Sequence, residues 1–512
     1  MYLTQGLHRS LQAEPQETAL VSRDRSWTFT DLVSRVARLA GGLRRHGAQD
    51  GDRIGVLSEN STLFVELALA VPWAGLVLSP VNLRWSRQEV LYQLRDAEID
   101  VLVVDAEHRE TAAELQAARP RMRLVVQGCG APTERVTDHE QLIDSSEPVE
   151  DRRGPADRLA ALVYTGGTTG APKGVMLTHG QIATSSLGTI ATLGADAGPH
   201  RFLHAGPLYH MAALGALYTQ VAVGSTHVVI GRYTSAELVD VLREFEISST
   251  TLVPTVVRRV LDHLESTGRR LPSLRSLAYG GGPISEAVLA QAARVLPAVA
   301  LSQRYGMTEL GPIATILGPA DHRDPSHPER LRSAGKAAMH AEVRVVDPDD
   351  EELPTGAVGE IVVRGANMMT GYWRRPEETA AALRNGWMHT GDVGYLDGAG
   401  YLYVVDRLKD MIVSGGENVY STEVEKVLAT HPAVHECAVV GVPDSEWGER
   451  VHAVLVLNDG AGVTLDELRE HCSAQIARYK APRSFEVVRS LPVSPIGKIL
   501  KRQLRRDAEE RR

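Results

Sequence analysis

Cysteine is scarce in this 512-residue chain: Cys129, Cys437 and Cys472 are all it has. They lie far apart with no CxxC pair, which excludes a disulfide framework and gives no zinc site, so a reducing cytoplasm is the expected setting. A charge excess is also missing. Fifty-five basic and 64 acidic residues leave a net charge of −9, modest for this length, which argues against nucleic acid or an anionic membrane surface as a partner. Residues 1–20, MYLTQGLHRSLQAEPQETAL, have no apolar h-region, so no secretory signal is expected. Long hydrophobic runs are rare too. The most apolar window, Phe64 to Val81, is broken by Glu66 and Pro72 and just reaches spanning length, so it predicts a buried helix, turn and strand rather than a membrane span. No internal repeat or low-complexity segment stands out.

What is present is an ordinary globular composition, 43% apolar and 23% charged, with length for about three or four domain-sized units at roughly 100 to 200 residues each. The first hundred residues alternate in period. Leu32, Val33, Val36, Leu39 and Leu43 mark one helical face after Thr30, a predicted N-cap, and RIGVL at 53–57 reads as a buried strand. Val90, Leu91, Leu94 and Ala97 repeat the helical signal before VLVV at 101–104. Helix followed by continuous apolar strand, repeated, predicts an α/β chain with largely parallel sheet. From about Glu342 short strands with Asp, Pro and Gly turns predict a barrel-like piece. The tail beyond Lys409 reads as a small α+β domain, with a helix over 421–430, strands at CAVVGV and VHAVLVL, a helix over 464–478 and a basic end.

Residues 164–175, YTGGTTGAPKGV, hold four glycines, three threonines and one lysine. Bare backbone N–H groups in a turn form an anion-binding nest, and hydroxyls and a lysine add donors and charge, so phosphate is the natural ligand. A Walker A loop is excluded, because that motif needs Gly-Lys-Ser/Thr and Lys173 stands between Pro172 and Gly174. The stretch resembles the phosphate loop of the adenylate-forming superfamily, the acyl-CoA synthetases, luciferases and adenylation domains, whose usual form is Y-T-S-G-T-T-G-x-P-K-G. Gly166 replaces the usual serine and removes one hydroxyl; Thr165, Gly167, Thr168, Thr169, Gly170 and Lys173 keep the pattern.

The resemblance continues in order through PLYHMAAL (207–214), YGGGPIS (279–285), YGMTE (305–309), HTGD (389–392), DRLKDMIVSGGENVYSTEVE (406–425) and PIGKILK (495–501). It implies a large N-terminal domain, residues 1–406, of two α/β subdomains plus a β-barrel-like one, which binds ATP and the acid. A hinge follows at 407–410, with Lys409 in the hinge position, and then a small mobile α+β domain at 411–512. By the same resemblance Tyr305 stacks on adenine, with Gly281 and Gly282 letting backbone approach the base. Thr308 donates to the α-phosphate, Glu309 holds Mg²⁺, and Asp392 accepts from the ribose hydroxyls beside Arg407. Lys498 bridges acid and α-phosphate in the first step. After rotation at Lys409, Gly415 and Gly416 line a path for the thiol of coenzyme A. Arg478 and Lys480 are candidate contacts for its phosphates.

The implied reaction is an AMP-forming acid:CoA ligation through an acyl-adenylate, with ATP, Mg²⁺ and coenzyme A as its small molecules and a homodimer as an assembly left open. His210 takes the family's gate position between acid pocket and thiol path. Met211, Ala212, Ala213 and Leu214 after it, with Met307, favour an apolar fatty or aryl tail, and no aspartate is present there for an amino acid. Arg259 and Arg304 leave open a second reading, a malonate-like dicarboxylate held by guanidinium. A third reading, an enzyme that loads a carrier protein, shares nearly all these motifs; the chain ends at Arg512 without a fused carrier domain.

Overall fold

The computed structural model describes residues 1–129, 133–166, 171–194, 198–414, 417–444, 447–493 and 499–511, and strand counts refer to these. The chain divides into two compact units, one of Met1–Val343 with Val363–Met388, the other of Arg344–Val362 with His389–Arg512. Together they realise the expected class: α/β, multidomain, with a separate small α+β part at the C-terminus.

The first unit holds two large sheets. In one, eight strands run in the order Gly371–Tyr372, Lys173–Thr178, Leu159–Thr165, Val77–Pro80, Arg53–Leu57, Val101–Val104, Arg123–Val126 and Val136–Asp138. From Leu159–Thr165 outward the pairing is parallel, and the Lys173 hairpin and Gly371–Tyr372 add an antiparallel edge. The other has nine strands, with a parallel core of Ala300–Gly306, Ser276–Gly280, Ser249–Leu252, Arg201–His204, Thr226–Val229 and Thr18–Val21. Strands such as VLVV, buried at every position, are apolar throughout because helices cover both faces.

Local chemistry sets the helix starts. The helix Phe29–Arg45 is capped two residues before the expected position: Thr28 Oγ1 accepts from the Asp31 N–H at 3.1 Å while the Asp31 carboxylate accepts from the Thr28 N–H at 3.0 Å. This reciprocal box outcompetes Thr30, whose hydroxyl donates instead to the Pro15 carbonyl. Ser86 with Glu89, and Thr178 with Gln181, cap the next helices the same way. The expected C-terminal helix over 464–478 stops at Ser473, and a 3₁₀ turn at Arg478–Lys480 follows before Pro482.

The apolar window folds as expected into the helix Thr62–Trp73 and the strand Val77–Pro80. Its two interruptions are absorbed. Pro72 cannot donate to the Ala68 carbonyl, and the Tyr218 hydroxyl supplies that bond at 2.8 Å. Glu66, 1% exposed, pairs with Arg35, which also reaches Glu140 at 2.7 Å, and buried His139 lies 3.4 Å from both carboxylates. Among the described residues no helix is long and apolar enough to cross a membrane.

A second five-stranded group comprises Ala341–Val346, Gly359–Gly365, Trp387–Leu396, Leu383–Arg384 and Leu402–Arg407; it corresponds to the expected barrel-like piece. The second unit carries the C-terminal sheet, in which Val434–Asp444 and Gly448–Leu457 form a long antiparallel pair flanked by Ile412–Ser414 and Ser484–Val487. The helices Ser421–Leu428, Leu465–Ser473 and Lys501–Glu510 pack on it through Val424, Leu428, Leu468 and Leu504.

The buried Arg35 node makes a stability prediction. Arg35→Leu strands Glu66 in the core and should cost about 3 kcal/mol, whereas Arg35→Leu with Glu66→Leu should recover most of it. Urea denaturation followed by tryptophan fluorescence reads both, and equal losses in the two variants would refute the account.

Candidate active site

The glycine-rich stretch is the turn of a hairpin. Leu159–Thr165 pairs with Lys173–Thr178, Thr165 opposite Lys173 and Tyr164 opposite Gly174, so residues 166–172 connect the strands. Gly167, Thr168, Thr169 and Gly170 lie outside the described residues. Gly174 is required by closeness, since a Cβ there would sit 2.9 Å from the Tyr164 ring. That ring is fixed by its hydroxyl, which donates to Asp96 at 2.5 Å. At Gly166, by contrast, a Cβ would meet nothing within 4 Å among the described residues, none of which forbids the missing serine.

Beyond Gly174 the hairpin's edge is paired again. Tyr372 stands opposite Val175, Trp373 N–H donates to the Gly174 carbonyl at 2.7 Å, and the Trp373 indole donates to the Asp96 carbonyl at 2.9 Å. The Lys173 ammonium lies 5.0 Å from the centroid of the Tyr372 ring. The Tyr372 hydroxyl donates to Glu309 Oε1 at 3.0 Å, and the Met369 N–H to the Glu309 carbonyl at 2.8 Å. One short segment, 369–373, thus ties the lysine hairpin to the predicted metal carboxylate. The sequence reading missed it, because a lone Gly-Tyr-Trp carries no chemical signature.

Glu309 is 6% exposed and sits in the 3₁₀ turn Thr308–Leu310, directly after the strand Ala300–Gly306. The neighbouring parallel strand Ser276–Gly280, with Gly280 opposite Arg304, runs into Gly281 and Gly282. Gly281 has φ +78°, a value that favours glycine. Two strands further, Arg201–His204 leads to His210, the first residue before the helix Met211–Val223. His210, Gly281, Gly282, Tyr305, Thr308 and Glu309 therefore collect at the carboxyl ends of parallel strands, where open α/β sheets bind ligands.

A residue the sequence reading passed over holds the His210 loop. The Asn60 amide donates to the carbonyls of His204 at 3.0 Å and Gly206 at 2.7 Å, and its Oδ1 accepts from the Leu208 N–H at 2.8 Å. Met211 and Leu214 are buried, Ala213 and Met307 half-buried, and Ala212 exposed.

The two arginines of the dicarboxylate reading differ. Arg304 Nε is buried without a hydrogen-bond partner among the described residues, and burial pushes its guanidinium down to about 10. It alternates with Tyr305 along the strand, so the two side chains leave opposite faces. Arg259 is exposed on the helix Pro254–Thr267, whose buried face is Val257, Val260, Leu261 and Leu264.

In the second unit Asp392 faces Arg407 across an antiparallel pair, with Oδ1 3.2 Å from the guanidinium Nε. Lys409 is exposed. Lys480 is engaged by both carboxylate oxygens of Glu423 at 2.8 Å, and Arg478 is exposed. Gly415, Gly416 and Lys498 lie outside the described residues.

For Mg²⁺ the donor chemistry fits. A buried carboxylate beside the Thr308 hydroxyl is an oxygen-only set that phosphate oxygens and water complete, as this hard cation prefers. Among the described residues the one cluster of three histidine and carboxylate groups is Glu66, His139 and Glu140, and there the Arg35 guanidinium already occupies the space between the carboxylates.

The chain is similar to known proteins over nearly its whole length. The family model of AMP-binding enzymes matches residues 7–373, and that of the AMP-binding enzyme C-terminal domain matches residues 423–498. Feruloyl-CoA synthase of an Amycolatopsis species is 39% identical over 501 residues, 97% of each chain. Fatty acid–[acyl-carrier-protein] ligase ScoC of Streptomyces coeruleorubidus is 34% identical over 508 residues, 96% of this chain and 94% of that protein. The solved o-succinylbenzoate CoA synthetase of Bacillus subtilis, in complex with its acyl-adenylate intermediate, matches with TM-score 0.84 and 33% identity over 98% of this chain and 97% of that one; the same enzyme has been solved with ATP and magnesium ion. Motif order, the strand-end site and near full-length similarity together make the chain a member of the AMP-binding enzyme family, within the adenylate-forming superfamily.

Proposed function

We propose that the chain is an AMP-forming acid:coenzyme A ligase acting on an aryl carboxylic acid. The observation that carries this reading is the bridging of the Lys173 hairpin to buried Glu309 by one side chain, a cation and a carboxylate held together at the strand ends. The 39% identical feruloyl-CoA synthase supports the aryl acid.

In the first step a carboxylate oxygen of the acid attacks the α-phosphorus of ATP. The bond to the β,γ-pyrophosphate breaks, giving acyl-AMP. In the second, the coenzyme A thiolate attacks the acyl carbon and AMP leaves with the oxygen, giving the thioester. We assign phosphate binding to the Thr165–Lys173 loop, donation to the α-phosphate to Thr308 and the metal to Glu309. Adenine stacking falls to Tyr305, the ribose hydroxyls to Asp392 beside Arg407, and adenylation to Lys498. Bound Mg²⁺ lowers the negative charge that the incoming carboxylate must approach. Residues 1–406 take ATP and acid, Lys409 is the hinge, and residues 411–512 bring Lys498 for the first step and Gly415 and Gly416 for the second. A cytoplasmic setting belongs to the same proposal, supported by three free cysteines.

Arg304 favours one further reading. A buried guanidinium with an unpartnered Nε suits a second carboxylate on the acid, although Arg259, exposed on its helix, supplies no partner for a paired clamp.

Pyrophosphate release with ATP and Mg²⁺ tests these readings against ferulate, benzoates, fatty acids, 2-succinylbenzoate and malonate, each with and without coenzyme A. Turnover that needs coenzyme A on ferulate or a benzoate is the expected result. Activity confined to acids with two carboxylates assigns Arg304 to the pocket, and a single burst that coenzyme A cannot turn over assigns the acceptor to a carrier protein.

Lys498→Ala should lower adenylation roughly 100-fold or more, the scale of losing one transition-state donor, while thioester formation from preformed acyl-AMP stays within about threefold. Equal loss in both half-reactions would contradict a lysine confined to the first step. Gly166→Ser restores the family's hydroxyl in open space, so it should lower KM for ATP about two- to tenfold, the range of one hydrogen bond, with no change in Tm. A raised KM would show that the loop needs glycine there.

A further inference from the structure

Burial of a carboxylate is costly unless hydrogen bonds satisfy it. Glu309 is 6% exposed and Tyr372, which donates to its Oε1 at 3.0 Å, is 9% exposed. The same phenol ring lies 5.0 Å from the Lys173 ammonium, within the range of cation–π attraction. These contacts join three distant stretches of chain, at 173, 309 and 372.

The tyrosine cannot drift. Tyr372 is paired opposite Val175 and Gly371 opposite Met176, while the Tyr372 N–H donates to Thr379 Oγ1 at 2.9 Å. Flanking bonds from Thr370 N–H to the Met176 carbonyl at 3.0 Å and from Trp373 N–H to the Gly174 carbonyl at 2.7 Å lock the same edge. Gly371 leaves no room for another residue: a Cβ there would lie 2.7 Å from Thr379 Cγ2.

We propose that Tyr372 is a positioning residue of the phosphate and metal subsite, its hydroxyl orienting the Glu309 carboxylate while its ring carries the Lys173 ammonium. One side chain thereby fixes the separation between the cation that meets the phosphates and the carboxylate that meets the metal. The inference rests on the ligase reading for what these two groups bind. The two contacts are separable by substitution: phenylalanine removes the donor and keeps the ring, and leucine removes both.

Calorimetric titration of the full chain with ATP, once with Mg²⁺ and once with EDTA, tests this. Tyr372→Phe should weaken ATP about tenfold with Mg²⁺ and less than twofold with EDTA, the scale of one hydrogen bond to a charged group. Mn²⁺ bound to the enzyme–ATP complex, measured by electron paramagnetic resonance, should weaken by a similar factor. Tyr372→Leu should weaken ATP in EDTA as well, through Lys173. Glu309→Gln, which leaves Tyr372 in place, should show the same Mg²⁺-selective loss, and adding Tyr372→Phe to it should cost nothing further. Equal losses with and without Mg²⁺ in Tyr372→Phe, additive losses in the double variant, or no loss at all would overturn the proposal. Failure of the unsubstituted protein to bind ATP under either condition would overturn the ligase reading beneath it.

Discussion

The Lys173–Thr178 strand is hydrogen-bonded on both sides, to Leu159–Thr165 along one edge and to Gly371–Tyr372 along the other, and the candidate site depends on that double pairing. A phosphate-binding turn works by presenting backbone donors in a fixed concavity. A two-stranded ribbon in water is too weak to fix one. Here the ribbon continues an eight-stranded sheet, its first strand buried at five consecutive positions from Ala160 to Tyr164. Tyr164 and Trp373, both bonded to Asp96, close the edge. The two strands that bound the glycine-rich stretch are thus part of a large sheet.

The same unit handles buried charge in two ways. At Arg35 the solution is neutralisation, with Glu66 and Glu140 both bonded to one guanidinium and His139 between them. The guanidinium lies between the two carboxylates, while both ring nitrogens of His139 are buried without a hydrogen-bond partner among the described residues. At Glu309 the carboxylate accepts from the Tyr372 phenol, and the main-chain carbonyl accepts from the Met369 N–H.

Much of this was legible in the sequence, and unevenly. The buried strands RIGVL and VLVV and the helical repeat of Val90, Leu91, Leu94 and Ala97 announce themselves, because periodicity is a local property. Thr28 was misjudged as Thr30 because both are threonines before an apolar face; only the position of Asp31, three residues from Thr28, decides. Strand order is not local at all. Thr18–Val21 joins the nine-stranded sheet beside Thr226–Val229, a pairing that no short window encodes. Within the site, glycines, the lysine and Glu309 were visible through their motifs. Asn60 and Tyr372 were not: an asparagine reads as loop and a tyrosine as core until the 204–208 carbonyls and the Glu309 carboxylate are seen to lie beside them.

Why a tyrosine should hold that carboxylate follows from what each donor does to charge. An arginine or lysine would satisfy a buried glutamate and also cancel its field, leaving little to attract a divalent cation. A phenol that does not ionise satisfies an oxygen while the full negative charge remains. Its ring face, electron-rich by its quadrupole, simultaneously suits a neighbouring ammonium. A site that must hold a cation and an anion a few ångströms apart, without letting them collapse into a salt bridge, has few side chains that present an acceptor face to one and a donor edge to the other. Tyrosine is one of them, and Tyr372 stands between Lys173 and Glu309 in that orientation.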